Sequence, residues 1–197
     1  AFGAVFMSGS AAAANLEGFL YTSVNSFHQS ALNFVGQNVG ARRYDNVRKI
    51  VRICISCALI LGTVLSLILF LNGERLLSIY ISDSEEALHY GLLRMTYVMI
   101  PYFTIGLMDV MSGVLRGMGM SLTPMLISVL GVCGIRIGWV YTGYQCFSNA
   151  PTETRAMMLF LVYPVSWLVT AIAEIIAYRI VMKKSQRTLE QMTQNQS

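Results

Sequence analysis

The sequence predicts an all-α protein, a polytopic bundle of transmembrane helices. Three observations predict it. Of 197 residues, 55% are hydrophobic and only 12% are charged, about half the charged share of an ordinary soluble domain. Mean hydropathy is +0.57. The apolar residues are gathered into about five runs, each near the roughly 20 residues that a helix needs to cross the hydrocarbon core. The expected architecture is about five full spans plus the end of a sixth helix. Residues 1–184 would form one helical lobe, and 185–197 a polar tail.

The opening, AFGAVFMSGS, has no initiator Met and no basic stretch, unlike a signal peptide. It reads as the last turns of a helix that begins upstream, so the chain is expected to be a fragment. The first span, about 11–37, is the most polar and ends at Gly36-Gln37-Asn38-Val39-Gly40. A charged loop, Arg42 to Lys49, follows. The second span, about 50–71, is almost purely aliphatic and ends at Asn72-Gly73. The stretch RLLSIYISDSEEALHYG has too few apolar positions to cross. It predicts a short interfacial helix and then an acidic helix start at Ser84-Glu85-Glu86. The third span, about 92–115, contains Pro101 and ends at Arg116-Gly117-Met118-Gly119. A tight turn, Ser121 to Pro124, leads into the fourth span, about 124–144. The loop from Gln145 to Glu153 is the most turn-like segment. The fifth span, about 156–181, has Pro164 near its start.

The net charge of +4 is distributed asymmetrically. Ten of the 14 Lys and Arg residues fall on one side: Arg42, Arg43, Arg48, Lys49, Arg52, Arg116, Arg179, Lys183, Lys184 and Arg187. The opposite side has Arg75, Arg94 and Arg155, with Glu74, Asp83, Glu85, Glu86 and Glu153. The basic side is expected to be cytoplasmic, so the multi-pass chain would sit in the plasma (inner) membrane with its C-terminus inside. No basic, aromatic-interleaved surface segment exists, which argues against nucleic acid as a partner. Cys54 and Cys57 form a C-x-x-C inside ICISCALILGTVLSLILF, without a second pair. Small apolar packing residues explain them better than metal or redox chemistry. Met95, Met99, Met108, Met111, Met118 and Met120 cluster around the third span. Core packing is the common reason for such a cluster, and varied apolar ligands would also suit it.

Polar groups inside a span carry the functional information, because a buried carboxylate costs about 2.5–3.5 kcal/mol at a helix centre. Asp109 lies mid-span in GLMDVMSGVLRGMG, one turn from Ser112 and two turns from Arg116. A structural pair with Arg116 is one reading. A carboxylate that binds a cation or proton in an aqueous cavity is favoured, since no basic residue lies one turn away. Glu17 opens the first span and is either an interfacial carboxylate or a second cation ligand. Glu17, Tyr21, Asn25, Gln29, Asn33 and Gln37 recur every four residues, with His28 beside the row. Such positions share a slowly curling helix face. Lipid cannot satisfy these groups. They face other helices as hydrogen-bonding glue or, as favoured here, line a translocation cavity. Glu174 and Arg136 are expected to be structural, Glu174 through a local pair with Arg179.

No Walker A sequence, H-E-x-x-H, G-x-S-x-G, paired-histidine site or selectivity-filter-like motif occurs. ATP-driven transport and enzymatic activity are therefore not expected, and no cofactor is implied.

The segments NLEGFLYTSVNSFHQSALNFVGQNVGARRYDNVRK, LLSIYISDSEEALHYGLLRM, DVMSGVLRGMGMSLTPMLISVLGVCGIRIGW and YPVSWL together resemble the C-terminal half of multidrug and toxic compound extrusion transporters. Their order and spacing are more specific than any one phrase. The resemblance implies two six-helix lobes related by a pseudo-two-fold axis around a cavity with alternating access. It implies export driven by inward flow of sodium ions or protons, with small amphipathic, often cationic, compounds as substrates. The chain would hold the end of helix seven and helices eight to twelve, and its partner would be the missing N-terminal lobe. By resemblance, Asp109 stands where a helix-ten carboxylate serves the cation site, and Glu17 is similar to a carboxylate found in some branches. Tyr21, Asn25, His28, Gln29, Asn33, Met108 and Ser112 would line the substrate cavity. The alternatives are a flippase for lipid-linked sugars, which calls for several basic cavity residues where only Arg136 lies deep, and a short non-transporting membrane subunit.

Overall fold

A computed structural model describes residues 3–81, 84–147 and 149–194. Among these the fold is helical throughout. Helix α1 (Ala4–Gly40) is followed by α2 (Tyr44–Leu71) and the short α3 (Gly73–Ser78). The pair α4 (Glu85–Met99) and α5 (Phe103–Gly117) forms one long rod broken at Ile100–Tyr102. Helices α6 (Leu122–Ser128) and α7 (Ile135–Tyr141) flank a π-helical turn at Val129–Gly134, and α8 (Gly143–Cys146) is one turn long. Helix α9 (Thr152–Gln194) completes the bundle.

Four of these rods are long and apolar enough to cross a membrane: Tyr44–Leu71, Glu85–Gly117, Leu122–Cys146 and Thr152–Thr188. Helix α1, with 37 residues, is about 55 Å long and also has the reach. Its polar stripe keeps its hydropathy below that of the others. The boundaries differ from the sequence reading in instructive ways. Ala4–Ser10 are continuous with the first span, in the single helix α1. The charged segment after Arg43 is already helical, because Tyr44 to Lys49 begin α2. The polar tail continues α9 as far as Gln194. Asp83 and residues 195–197 lie outside the described residues. The acidic start of α4 is as expected: the Ser84 side chain accepts from the Ala87 N–H at 3.2 Å, with Glu85 and Glu86 in the first turn.

The α4–α5 rod is the centre of the lobe, and its glycines set how closely α1 approaches. A Cβ on Gly9 would overlap the Ala87 carbonyl, and one on Gly113 would stand 2.5 Å from the His28 carbonyl. One on Gly117 would stand 2.7 Å from the Leu32 carbonyl. Gly9 meets Gly91, Val24 meets Gly106, His28 meets Gly113 and Gly36 meets Gly117, so α1 and the rod run parallel. Small residues at such contacts let backbones pack closely where lipid gives no hydrophobic drive for association. The rod bends at Pro101, which has no N–H for the helical ladder. The Thr104 hydroxyl donates to the Pro101 carbonyl at 2.8 Å, satisfying that group.

Apolar packing fills three zones. The largest joins Leu20 and Val24 of α1 with Val98, Tyr102, Ile105 and Met108 of the rod and Phe160 and Trp167 of α9. A second, nearer the basic end, joins Ala31 and Val35 to Val47, Val51 and Cys54 of α2 and to Val110, Met111 and Val114. A third packs Leu77 of α3 on Leu16, Met95 and Met99. Met95, Met99, Met108 and Met111 are thus core residues, whereas Met120 is exposed. Cys54 is buried and Cys57 exposed, and all four cysteines are free. The α6–α7 rod is peripheral and exposes Leu126, Val129, Leu130 and Ile137. It docks on α9 through the Trp139 indole N–H, which donates to the Met158 carbonyl at 3.0 Å.

Close approach at Gly113 predicts that Gly113→Ala destabilises the full-length protein by about 1–3 kcal/mol, because α1 must move outward. Gly138→Ala, whose Cβ meets nothing within 4 Å, should be neutral or gain up to about 1 kcal/mol of helix propensity. Thermal unfolding of the two variants in detergent, read by fluorescence-detected chromatography, checks the contrast.

Candidate functional site

Asp109 sits on α5 between Gly106 and Gly113, the two points where α5 meets Val24 and His28 of α1. The side chain is partly exposed, but its Oδ2 atom is buried and has no hydrogen-bond partner. Among the described residues no ion pair within 4.0 Å joins Asp109 to Arg116, so the two-turn pair considered from sequence does not form. Arg116 and the Tyr21 phenol are nonetheless within electrostatic range of the carboxylate. Asp109 is held at the backbone: the His28 Nδ1–H donates to its main-chain carbonyl at 2.7 Å. A His28 bond to that carbonyl ties the middle of α1 to the turn of α5 that carries the free oxygen.

The polar row on α1 divides between two environments. Tyr21, Gln29, Asn33 and Gln37 are exposed, and Glu17 and Asn25 are half-buried. The exposed members lie on a polar stripe that curls around the outside of α1. His28 is buried and points inward to α5. Met108 and Ser112 are also buried, Met108 in the largest core zone. The structure therefore leaves Tyr21 and Gln29 exposed and Asn25 half-buried, with Tyr21 within electrostatic range of Asp109, and places His28, Met108 and Ser112 in the helix packing.

Glu17 has a partner that sequence spacing did not reveal. Arg94 of α4 grips it with both arms, Nε to Oε1 at 2.7 Å and Nη2 to Oε2 at 2.9 Å, while Nη1 donates to Ser10 Oγ at 2.8 Å. The side chains are 14% and 12% exposed, so the pair is well shielded. The guanidinium also lies over the Phe160 and Tyr163 rings, 5.8 and 5.4 Å from their centroids. The Tyr102 hydroxyl reaches the Glu17 main-chain carbonyl at 3.4 Å. With both oxygens occupied, Glu17 serves as a fork-to-fork clamp between α1 and α4.

Glu174 does not pair with Arg179. It is fully buried; Ser128 of α6 donates to its Oε1 at 3.3 Å, and Oε2 has no partner. Arg179 is exposed on the next turns. The reason is rotational: five residues on a helix advance about 500°, so the two side chains project from different faces. Arg136 stacks on the Tyr163 ring at 4.2 Å and donates to Ser166 Oγ at 3.2 Å. Among the described residues no group of three or more His, Cys, Asp or Glu side chains could hold a metal ion.

The fold is thus a bundle of helices long and apolar enough to cross a membrane, with a carboxylate midway along α5. The MatE family model matches residues 1–142, so the chain belongs to that family, the one its segments resemble. It is 24% identical over 157 residues to the probable multidrug resistance protein YoeA of Bacillus subtilis. It is 28% identical over 138 residues to the probable multidrug resistance protein NorM of Halalkalibacterium halodurans. These matches take in 79% and 68% of the chain but 32% and 30% of the relatives. The chain thus spans about a third of their length. Its fold matches the crystal structure of the Vibrio cholerae MATE transporter VcmN in the bent form, with a TM-score of 0.80 at 20% identity. That match covers 93% of this chain and 40% of VcmN.

Removing one member of a shielded ion pair strands the other. Arg94→Met should therefore destabilise the full-length protein by about 3–5 kcal/mol. Adding Glu17→Gln to it should restore much of the loss, because no charge is then left alone. A double-mutant cycle on thermal stability measures the recovery; equal damage in single and double variants would show that the clamp acts by packing alone.

Proposed function

We propose that the chain is the C-terminal lobe of a cation-coupled antiporter. The antiporter exports amphipathic, often cationic, drugs or toxic organic compounds across the plasma membrane, driven by inward movement of protons or sodium ions. The observation that carries this reading is Asp109, whose Oδ2 is buried and unpartnered at mid-helix. A carboxylate in that position is costly unless a cation or proton joins it. Glu17 is a weaker candidate, since Arg94 already occupies both of its oxygens.

The polar face bearing Tyr21, Asn25, Gln29 and Asn33 is then one wall of the substrate cavity, and the N-terminal lobe supplies the other. The matches take in only about a third of each multidrug resistance relative, which supports this. An arriving cation neutralises Asp109 and changes the electrostatics of the α1–α5 contact, which the His28–Asp109 bond transmits to α1. Coupling follows if the cation binds the outward- and inward-facing states unequally. A substrate cation competing for the same carboxylate makes the exchange obligatory. The charge asymmetry supports a cytoplasmic C-terminus.

Asp109→Asn in the full-length protein should reduce drug resistance to that of cells lacking the transporter, with unchanged amounts in the membrane. Resistance retained at normal protein level would remove Asp109 from the coupling step. For orientation, Cys146 at the acidic end is exposed. In a background without other cysteines, a membrane-impermeant maleimide should label Cys146 in intact cells. It should label Ser185→Cys only after lysis; the reverse pattern would invert the proposed topology.

A further inference from the structure

We infer that the crevice between α2 and α9 at the basic end of the lobe is a binding site for the phosphate headgroup of an anionic phospholipid. Its walls are Arg48 and Arg52 on α2 and Arg179 and Lys183 on α9, over a floor of Val51, Tyr178 and Met182. The crevice has a volume of about 340 Å³. It adjoins a cavity of about 610 Å³ that shares Arg48 and Gln186 and adds Arg42 and Arg43. Among the described residues, Asp45 is the one acidic side chain lining either space. Among the described residues, none of the four wall cations has an ion-pair partner within 4.0 Å.

Charge asymmetry in the service of topology asks only that cations flank the spans; it does not ask that they converge. Here two helices far apart in sequence turn two cations each toward one cleft. Like charges brought together without a counter-charge repel one another, and a bound phosphate relieves that repulsion through charge-assisted hydrogen bonds. The floor selects the source of the phosphate. Val51 and Met182 are buried apolar residues that a free phosphate would leave unused. Towards the membrane centre the same faces of the two helices continue as Ile55 on α2 and Ile175 on α9, both half-buried beside Val51 and Met182. A basic head site opening onto an aliphatic track matches a lipid with an anionic headgroup on the cytoplasmic leaflet.

The test uses purified full-length protein in detergent, with phosphatidylglycerol and phosphatidylcholine of the same acyl chains supplied in equal amounts. Native mass spectrometry should show phosphatidylglycerol retained at least about tenfold more than phosphatidylcholine. The preference should be lost in R48Q/R52Q/R179Q/K183Q. It should persist in R42Q/R43Q/K184Q/R187Q, which removes the same charge from the same end. Equal retention of the two lipids by the wild type overturns the inference. So does equal loss in both quadruple variants, which marks diffuse surface charge, or displacement by millimolar inorganic phosphate, which marks a free-anion site. Should the crevice variant fail to insert, the single variants R52Q and R179Q serve. Each should lower the preference several-fold, and no change in either also overturns the inference.

Discussion

The approach of α1 to the α4–α5 rod is the constraint on which the rest of the lobe depends. Without water in the hydrocarbon core, a polar helix is admissible only where protein or an aqueous cavity satisfies it. Helix α1 is such a helix. Its glycine-mediated contacts at Gly9, Gly113 and Gly117 bring its inner face to backbone distance. Its outer polar face remains as a wall that lipid alone would not tolerate.

Two polar links pin that contact at different depths. Near the acidic end, the Glu17–Arg94–Ser10 cluster ties α1 to α4, and Tyr102 adds a bond from just beyond the Pro101 break. Farther along α1, His28 bonds the Asp109 carbonyl of α5. The first is fully paired and gives rigidity. The second is made to a main-chain carbonyl, and the Asp109 carboxylate keeps one buried oxygen without a hydrogen-bond partner.

The peripheral helices have another task. Helix α9 runs the full height of the lobe, closes the core with Phe160 and Trp167, and receives the α6–α7 rod through Trp139, Arg136 and Ser128. The π-helical turn at Val129–Gly134 brings Gly131 so close to the Thr170 side chain that a larger residue would not fit. At the basic end, α9 and α2 face each other across a charged crevice, where the protein meets the headgroup layer.

Much of this was legible in the chain alone. Length and hydropathy of the apolar runs determine that the lobe is a bundle of membrane-crossing helices. Ser84, Glu85 and Glu86 mark the start of α4, and Pro101 marks the break, because capping and proline effects act within one turn. The four-residue polar period on α1 and the isolation of Asp109 are likewise local properties of the sequence. Tertiary structure decided the partners. Glu17 and Arg94 are 77 residues apart, and nothing in either neighbourhood says that their helices lie side by side. Glu174 was matched by spacing with Arg179, but the fold turns it toward Ser128. His28, Met108 and Ser112 belong to the packed side of the α1–α5 contact, whereas Tyr21, Asn25 and Gln29 belong to the polar face. Periodicity says which residues share a side of a helix; only the arrangement of the other helices says what that side meets.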